Sequence, residues 1–156
     1  MKHSLITVTG YFGAPTIQVA KAIAAEKSLP LVVLDEEIVK RDGRSIKRLV
    51  MMNGEHGYRN LEYEVLKDMV SEGEPVVLAC GDGVLYDEDS RRIITEGELH
   101  IVGRDMDPDQ LWNMAKDKTD SYHAFMSFGN EDEKRKAFNK LIERQRVLFE
   151  TCQTGD

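Results

Sequence analysis

The chain contains little cysteine. Only Cys80 and Cys152 occur among its 156 residues, far apart and without the spacing of metal ligands, which excludes a disulfide-stapled scaffold and a zinc finger. Histidine is also sparse, and no two histidines have the spacing of ligands on one helix. The four are His3, His56, His100 and His123. We therefore expect no metal site and, because unpaired thiols suit a reducing compartment, a cytoplasmic protein.

Long hydrophobic runs and an excess of basic residues are also absent. No apolar stretch approaches the ~20 residues that a membrane-spanning helix needs, and the first residues do not have the pattern of an export signal. The formal net charge of −7 argues against the attraction to phosphate backbones on which non-specific nucleic-acid binders depend. The sequence thus predicts no membrane and no nucleic-acid partner, and it contains no motif that names a protein partner.

Short apolar runs alternate along the chain with segments of helical periodicity. Four runs predict buried strands, at 4–9, 31–34, 76–79 and 99–102. Helices are predicted over 16–27, 36–41, 45–52, 58–71, 88–96, 109–116 and 131–151. Continuous apolar strands between helices are typical of an α/β fold with a parallel sheet that helices cover on both faces.

The length of the chain fits one domain, 1–156. We expect its core over about 1–104, a lid-like polar segment over about 112–130 and a charged C-terminal helix over about 131–151. Ligands bind such sheets outside the carboxyl ends of the strands. The residues that follow three of the predicted strands should therefore line one crevice; they are Gly10 to Gly13, Asp35, and Gly81 to Gly83.

The first of these loops has only part of a phosphate-binding sequence. Such a loop needs glycines that let backbone N–H groups wrap phosphates, a lysine for the outer phosphates and a Ser/Thr hydroxyl for Mg²⁺. Here it reads Gly10-Tyr-Phe-Gly-Ala-Pro-Thr-Ile-Gln18. Gly10, Gly13 and Ala14 fit, but Pro15 and Thr16 begin the stretch where Gly-Lys-Ser/Thr is needed, and proline removes one N–H donor. The loop is predicted to be a degenerate phosphate loop.

The order of the remaining motifs resembles the shikimate kinase family. The matching fragments are Gly10-x-x-Gly13-Ala14, Leu29-Pro30, Asp35-x-x-Ile38, Gly43-x-Ser45-Ile46, Gly54-Glu55-x-x-Tyr58-Arg59-x-x-Glu62 and Gly81-x-Gly83. Each fragment is short, but their order and spacing together are specific. The resemblance implies a P-loop NTPase-like sheet in a three-layer α/β/α arrangement of the nucleoside monophosphate kinase type.

The resemblance also implies roles for residues on the acceptor side. Asp35 matches the aspartate that contacts the ring hydroxyls of shikimate, and it would be the catalytic base only if the protein were an active kinase. Arg59 matches the arginine that pairs with the shikimate carboxylate, a task that suits a planar guanidinium. Glu62 matches the carboxylate that holds this arginine.

Further substrate contacts are implied at the glycine turn and near the C-terminus. Gly81 and Gly83 match the outer glycines of a triple-glycine turn that presents backbone N–H groups to the substrate, and Asp82 replaces the middle glycine. The stretch Arg144-Gln-Arg-Val-Leu-Phe149 resembles a family motif whose arginine also holds the carboxylate. Neither arginine is in register without a shift, and Arg146 is the candidate.

The nucleotide side of the resemblance is incomplete. Besides the missing lysine and hydroxyl, Val33 replaces an aspartate that supports Mg²⁺ in the family, and the lid stretch 114–122 contains no arginine. Our leading hypothesis is a relative that binds a small polar carboxylate such as shikimate, without a cofactor and without phosphoryl transfer. The alternatives are an atypical kinase that uses ATP and Mg²⁺ with Lys21 or Lys118 in place of the missing lysine, and a non-catalytic scaffold.

Two simpler structural interpretations compete with these assignments. Asp35 could merely cap the helix predicted to begin at Glu36, because aspartate accepts a helix N–H there. Arg59 and Glu62 could form an exposed pair on a helix, worth well under about 1 kcal/mol. Both interpretations predict side chains that do not meet in a crevice.

Overall fold

The computed structural model describes residues 3–152. Its strands are β1 (Leu5–Gly10), β2 (Leu31–Val33), β3 (Val76–Ala79) and β4 (Glu98–Val102). Its helices are α1 (Thr16–Lys27), α2 (Leu34–Asp42), α3 (Ile46–Glu72), α4 (Glu88–Thr95), α5 (Pro108–Ala115) and α6 (Glu131–Glu150), with short 3₁₀ turns at Val84–Tyr86 and Ala124–Ser127. The single domain predicted over 1–156 thus includes terminal residues that lie outside the described part.

The four strands form one parallel sheet in the order β2-β3-β1-β4. Along the central pairing, Leu5 lies opposite Val76 and Val8 lies opposite Ala79. All three pairings are parallel, so the carboxyl ends of the strands meet at one edge. The predicted parallel α/β fold is confirmed.

Alternate residues of the strands face two helix layers. Ile6 and Val8 of β1 point to one side, where they pack with Ala20 and Ala24 of α1. Leu5 belongs to the larger core on the other side, which contains residues of α2 to α6. Helices therefore cover both faces, as the period of two along a strand requires.

The long helix α3 is interrupted at Gly54. This residue has φ 77 and ψ 170, a conformation that glycine adopts without a steric penalty. The interruption separates the first turns of α3, which begin after the N-cap Ser45, from the buried part that includes Tyr58 and Arg59. The sequence predicted two separate helices here, and the interruption lies between them.

Several predicted boundaries differ from the structure, among them the end of β2 and the start of the lid-like segment. Leu34 begins α2 instead of ending β2; β2 is an edge strand, and the three acidic residues that follow Leu34 favour the first turn of a helix. The lid-like segment predicted to begin at 112 begins after Ala115, because α5 continues to that residue and buries Trp112 and Ala115. The segment 116–130 that follows, which we call the lid segment, contains only one 3₁₀ turn.

Within residues 3–152, none of the helices is long and apolar enough to cross a membrane.

Phe138 provides a test of this packing. Its side chain is fully buried on α6, with ring centroids 5.1 Å from Trp112 and 6.0 Å from Phe12. We expect Phe138→Ala to lower the free energy of unfolding by about 3 to 5 kcal/mol, because it removes buried apolar area and leaves a cavity. Val147→Ala on the same helix, at a side chain 60% exposed, should change it by less than about 0.5 kcal/mol. Urea unfolding measures both, and equal effects would contradict the packing described here.

Candidate functional site

The carboxyl ends of the strands open into a crevice with two adjoining cavities. One, of about 320 Å³, lies beside the loop after β1 and includes Gly13 and Thr16 in its lining. The other, of about 500 Å³, lies beneath the lid segment. Five residues line both cavities: Phe12, Asp35, Gly81, Asp82 and Lys118. The three predicted loops therefore contribute to one crevice.

Asp35 lies in the first turn of α2 and faces this crevice. Its Oδ1 accepts a hydrogen bond of 2.6 Å from the Tyr58 hydroxyl. Burial raises the pKa of the Asp35 carboxyl above its usual range, against the lowering effect of the Tyr58 hydrogen bond. The capping interpretation is wrong, because the N-cap of α2 is Val33 and no side chain caps the helix.

Arg59 is buried at the back of the crevice, with 7% of its side chain exposed. Its Nη1 donates to Glu62 at 2.8 Å, while Nε and Nη2 donate to Glu55 at 3.2 and 3.1 Å. Its Nη2 also donates to the Tyr122 hydroxyl of the lid segment at 2.6 Å. These bonds use four of the five N–H groups of a guanidinium. The interpretation of Arg59 and Glu62 as an exposed pair is wrong.

Glu62 has no exposed side-chain surface. Burial raises the pKa of its carboxyl to about 7, although the adjacent guanidinium of Arg59 acts to lower it. Its Oε2 is buried and has no hydrogen-bond partner among residues 3–152. Glu62 therefore neutralises and orients Arg59 without reaching the crevice.

The turn after β3 brings its backbone close to these side chains. The Gly81 carbonyl accepts a hydrogen bond of 2.7 Å from Thr9 Oγ1, which fixes the turn to β1. A Cβ atom at position 83 would collide with Arg59 Nη2 and would lie 2.8 Å from the Tyr122 hydroxyl. A side chain at position 83 would therefore displace Arg59 and Tyr122 from these positions.

Asp82 connects three parts of the crevice. Its Oδ2 accepts a hydrogen bond of 2.7 Å from Gln145 Nε2 on α6 and lies 2.7 Å from His123 Nε2 of the lid segment. Burial acts to raise its pKa, but His123, Arg59 and Gln145 together hold the pKa of Asp82 below its usual range. Sequence reasoning missed Gln145 and His123, since their contacts with Asp82 span 63 and 41 positions.

The sequence suggested Arg146 as a ligand for the carboxylate, and the structure does not support this suggestion. Its side chain is 45% exposed and forms an ion pair of 3.3 Å with Glu143 on the same helix. Neighbouring residues on a helix point about 100° apart, so the burial of Gln145 directs Arg146 to solvent. Gln145 is therefore the residue of this stretch that reaches the crevice.

Several backbone N–H groups of the loop after β1 donate hydrogen bonds to acceptors in the loop itself or in neighbouring elements. Pro15 has φ −80 and ψ 61, an inverse γ-turn that lets the Thr16 N–H donate to the Ala14 carbonyl at 2.8 Å. The Ala14 N–H donates to the Tyr11 carbonyl at 2.9 Å and the Phe12 N–H donates to Gln145 Oε1 at 3.0 Å. These donors are consequently occupied inside the protein.

The two glycines of this loop are required for steric reasons. Gly13 has φ +100, and a Cβ there would collide with the Leu111 carbonyl. A Cβ at Gly10 would lie 2.6 Å from the Val102 carbonyl and 2.8 Å from Thr16 Oγ1. Local packing thus explains why glycine occurs at both positions, whether or not a phosphate binds there.

Three lysines, Lys118, Lys21 and Lys47, differ in their distance from the crevice and in their hydrogen-bond partners. Lys118 of the lid segment lines both cavities, and its ammonium group has no hydrogen-bond or ion-pair partner within the described range. Lys21 on α1 is exposed and lines neither cavity. Lys47 Nζ binds the Thr119 carbonyl and Ser127 Oγ, both at 2.9 Å, and so fastens the lid segment to α3.

The loop and the end of β2 lack two side-chain oxygens that the family resemblance would place near a nucleotide with Mg²⁺. Val33, at the end of β2, offers no oxygen ligand from its side chain, and Ile17 stands where a hydroxyl is needed. Across residues 3–152 no group of three or more His, Cys, Asp or Glu side chains is arranged to hold a metal ion. The crevice therefore has buried carboxylates and a guanidinium on one side, and on the other a loop in which the Phe12, Ala14 and Thr16 N–H groups already have acceptors.

Comparisons with known proteins agree with the motif order. The family model described as shikimate kinase matches residues 16–154. A shikimate kinase of Dictyoglomus turgidum is 33% identical over 150 residues, which cover 96% of this chain and 84% of that protein. A shikimate kinase of Chlorobium limicola is 33% identical over 118 residues, and this match spans 58% of its length, less than two thirds.

A solved structure shares the fold. The shikimate kinase from Acinetobacter baumannii in complex with shikimate superposes with a TM-score of 0.76 at 20% identity, over 98% of this chain and 86% of that one. At this identity the likeness concerns the fold, whereas the family model extends over most of the chain. The chain therefore belongs to the shikimate kinase family.

Proposed function

We propose that this protein binds a small polar carboxylate such as shikimate in the crevice and does not transfer a phosphoryl group from ATP. The observation that carries the proposal is the contrast between the two sides of the crevice. Arg59, Asp35 and the Gly81 to Gly83 turn converge on the acceptor side, while the Phe12, Ala14 and Thr16 N–H groups of the loop after β1 donate to acceptors within the protein.

The acceptor side supplies recognition groups of the kind a hydroxylated carboxylate needs. The Arg59 guanidinium offers the unused N–H of Nη1, and its Nη2 is available once the Tyr122 hydroxyl moves away. A carboxylate is a stronger acceptor than a neutral phenol, because the hydrogen bond becomes charge-assisted on both sides. Shikimate is bound to the Acinetobacter relative, which supports this choice of ligand.

Asp35 would bind the hydroxyl end of the ligand. Tyr58 occupies its Oδ1 and holds the carboxylate in place, which leaves Oδ2 directed towards the Gly81 turn. A buried carboxylate that retains a free oxygen accepts ligand hydroxyl groups well, since the alternative is an unpaired buried acceptor. In this role Asp35 is a binding residue and needs no phosphoryl donor.

The loop after β1 lacks what phosphoryl transfer requires. Transfer depends on positioning and on neutralising the negative charge of the phosphates, and each missing cation contact commonly costs about 3 kcal/mol or more of transition-state stabilisation. Thr16 occupies the position where a lysine is needed, and Pro15 has no backbone N–H group. The Ala14 and Thr16 N–H groups would have to break existing bonds before they could bind phosphate.

Calorimetric titration with shikimate tests the acceptor side. We expect the wild type to bind, and Arg59→Lys to weaken binding at least about tenfold, because lysine keeps the charge but not the fork of donors. Arg92→Lys, at an exposed arginine of α4, is the matched control and should bind as the wild type does. Absence of binding by the wild type, or equal binding by Arg59→Lys, would contradict the proposal.

A second titration and an assay test the donor side. We expect no heat of binding with Mg·ATP and no release of ADP when Mg·ATP and shikimate are supplied together, because the loop lacks a lysine and the Pro15 N–H, and its Phe12, Ala14 and Thr16 N–H groups already have acceptors. The coupled assay for ADP should stay at its enzyme-free rate. Turnover that depends on shikimate would overturn this half of the proposal.

One observation favours a second candidate function, an atypical shikimate kinase. Lys118 lines both cavities with an unpaired ammonium group, so it is the cation best placed to approach a phosphate between them. If the protein were such a kinase, Lys118→Ala would abolish ADP release while Lys21→Ala, at an exposed site outside the crevice, would leave it unchanged. Equal effects of the two variants would exclude this role for Lys118.

A further inference from the structure

We infer that Asp82 determines which charge a ligand can carry at its hydroxyl end, so that the crevice accepts hydroxyl groups there, prefers a protonated amine and rejects a phosphate. This inference rests on the proposed function and deepens it, because it names the chemical class of the ligand. Asp82 stands where the family resemblance implies the middle glycine of the turn. A turn of three glycines has no carboxylate at this position.

The first observation is that the Asp82 carboxylate is held in one orientation. Gln145 is fully buried, and its Oε1 accepts a hydrogen bond of 3.0 Å from the Phe12 N–H. Its Nε2 is therefore directed to Asp82 Oδ2, at 2.7 Å. His123 Nε2 also lies 2.7 Å from Oδ2. Because both partners approach the same oxygen, Asp82 cannot turn away without losing both contacts.

The other oxygen of Asp82, Oδ1, remains open to a ligand. No hydrogen bond within residues 3–152 uses it, and it is not among the enclosed polar atoms of that range that lack a partner. The side chain is only 14% exposed and lines both cavities of the crevice. An oxygen that is neither bonded nor enclosed there faces the open space of the crevice.

The second observation is that Asp35 brings another open carboxylate oxygen to the same place. Tyr58 occupies only Oδ1 of Asp35, and Oδ2 would lie 3.7 Å from a Cβ atom at Gly81, the residue before Asp82. Asp35 also lines both cavities. Burial is the main cause that raises the pKa of Asp35, and the negative charge of Asp82 acts in the same direction, as two nearby carboxylates should.

Two open carboxylate oxygens favour a hydrogen-bond donor and disfavour an anion. An ionised carboxylate can only accept hydrogen bonds. A bond from an ammonium group is charge-assisted on both sides and is stronger than one from a neutral hydroxyl. A phosphate would instead place negative charge beside two carboxylates in a largely buried site, where salt screens the repulsion little. The ligand class that fits best is therefore a hydroxylated carboxylic acid that carries an amine.

The positive charges around the two carboxylates do not cancel this preference. His123 approaches Asp82 from the side of Oδ2, and Arg59 already donates to two carboxylates of α3. Lys118 lines both cavities and would attract a phosphate. Its side chain is exposed, however, so solvent screens its charge more than that of Asp82.

The experiment is calorimetric titration at pH 7 with three ligands that differ at one ring position. They are shikimate, its analogue with an amino group in place of the 3-hydroxyl, and shikimate 3-phosphate. The amine is protonated at this pH, as an alkylamine such as lysine is. We expect the wild type to bind the amine about tenfold more tightly than shikimate, and the phosphate at least about a hundredfold more weakly.

Two variants and a control assign this preference to Asp82. Asp82→Asn removes the charge but keeps an oxygen for Gln145, and it should reduce the preference for the amine over the phosphate at least about tenfold. Asp82→Gly removes the whole carboxylate and should have the same effect. Urea unfolding checks that both variants are folded. Asp117→Asn is the matched control, at an exposed aspartate of the lid segment that lines neither cavity, and should keep the preference of the wild type.

The outcomes separate this inference from the function on which it rests. If the wild type binds shikimate but binds the phosphate as tightly, the inference is wrong while the function stands. The same holds if the wild type prefers the amine but Asp82→Asn and Asp82→Gly keep that preference, because another residue then determines it. If the wild type binds none of the three ligands, the proposed function and the inference fail together.

Discussion

The need to neutralise a buried guanidinium governs the crevice. Arg59 cannot lose its charge, and an unpaired buried charge costs several kcal/mol. Glu62 and Glu55, both on α3 with Arg59, accept hydrogen bonds from its guanidinium. The Tyr122 hydroxyl of the lid segment accepts another. Gly83 has no side chain where Nη2 packs. Arg59 thus contributes to the position of the lid segment and occupies the space that a side chain at position 83 would need.

Asp82 provides a second connection that extends from the acceptor side to the loop after β1. Gln145 uses its amide nitrogen for Asp82 and its amide oxygen for the Phe12 N–H. His123 lies within hydrogen-bond distance of the same carboxylate and packs at a tilt against the Phe12 ring. Consequently the loop, α6 and the lid segment share one polar network. Such a network stays favourable only while every member is paired, so the loop cannot change conformation without affecting the lid.

The sequence predicted the alternation of strands and helices, the parallel sheet and the loops that meet at its edge, because these follow from local periodicity and turn residues. The motif order also singled out Asp35 and Arg59, which lie beside the glycine turn. It could not predict the contacts of Gln145, His123 and Tyr122, whose partners lie far along the chain. The suggestion of Arg146 failed because a shift of one residue on a helix moves a side chain from the core to solvent.

The proposed loss of the phosphate cradle would therefore involve more than one missing lysine. A lysine at position 16 would restore a charge, but Pro15 would still lack its N–H and would keep the inverse γ-turn that engages Thr16. Replacing Pro15 as well would leave the Phe12 N–H bound to Gln145, and Gln145 is bound to Asp82. The Phe12 N–H group of the loop is thus linked through Gln145 to Asp82 in the glycine turn. This chain of hydrogen bonds joins the two sides of the crevice.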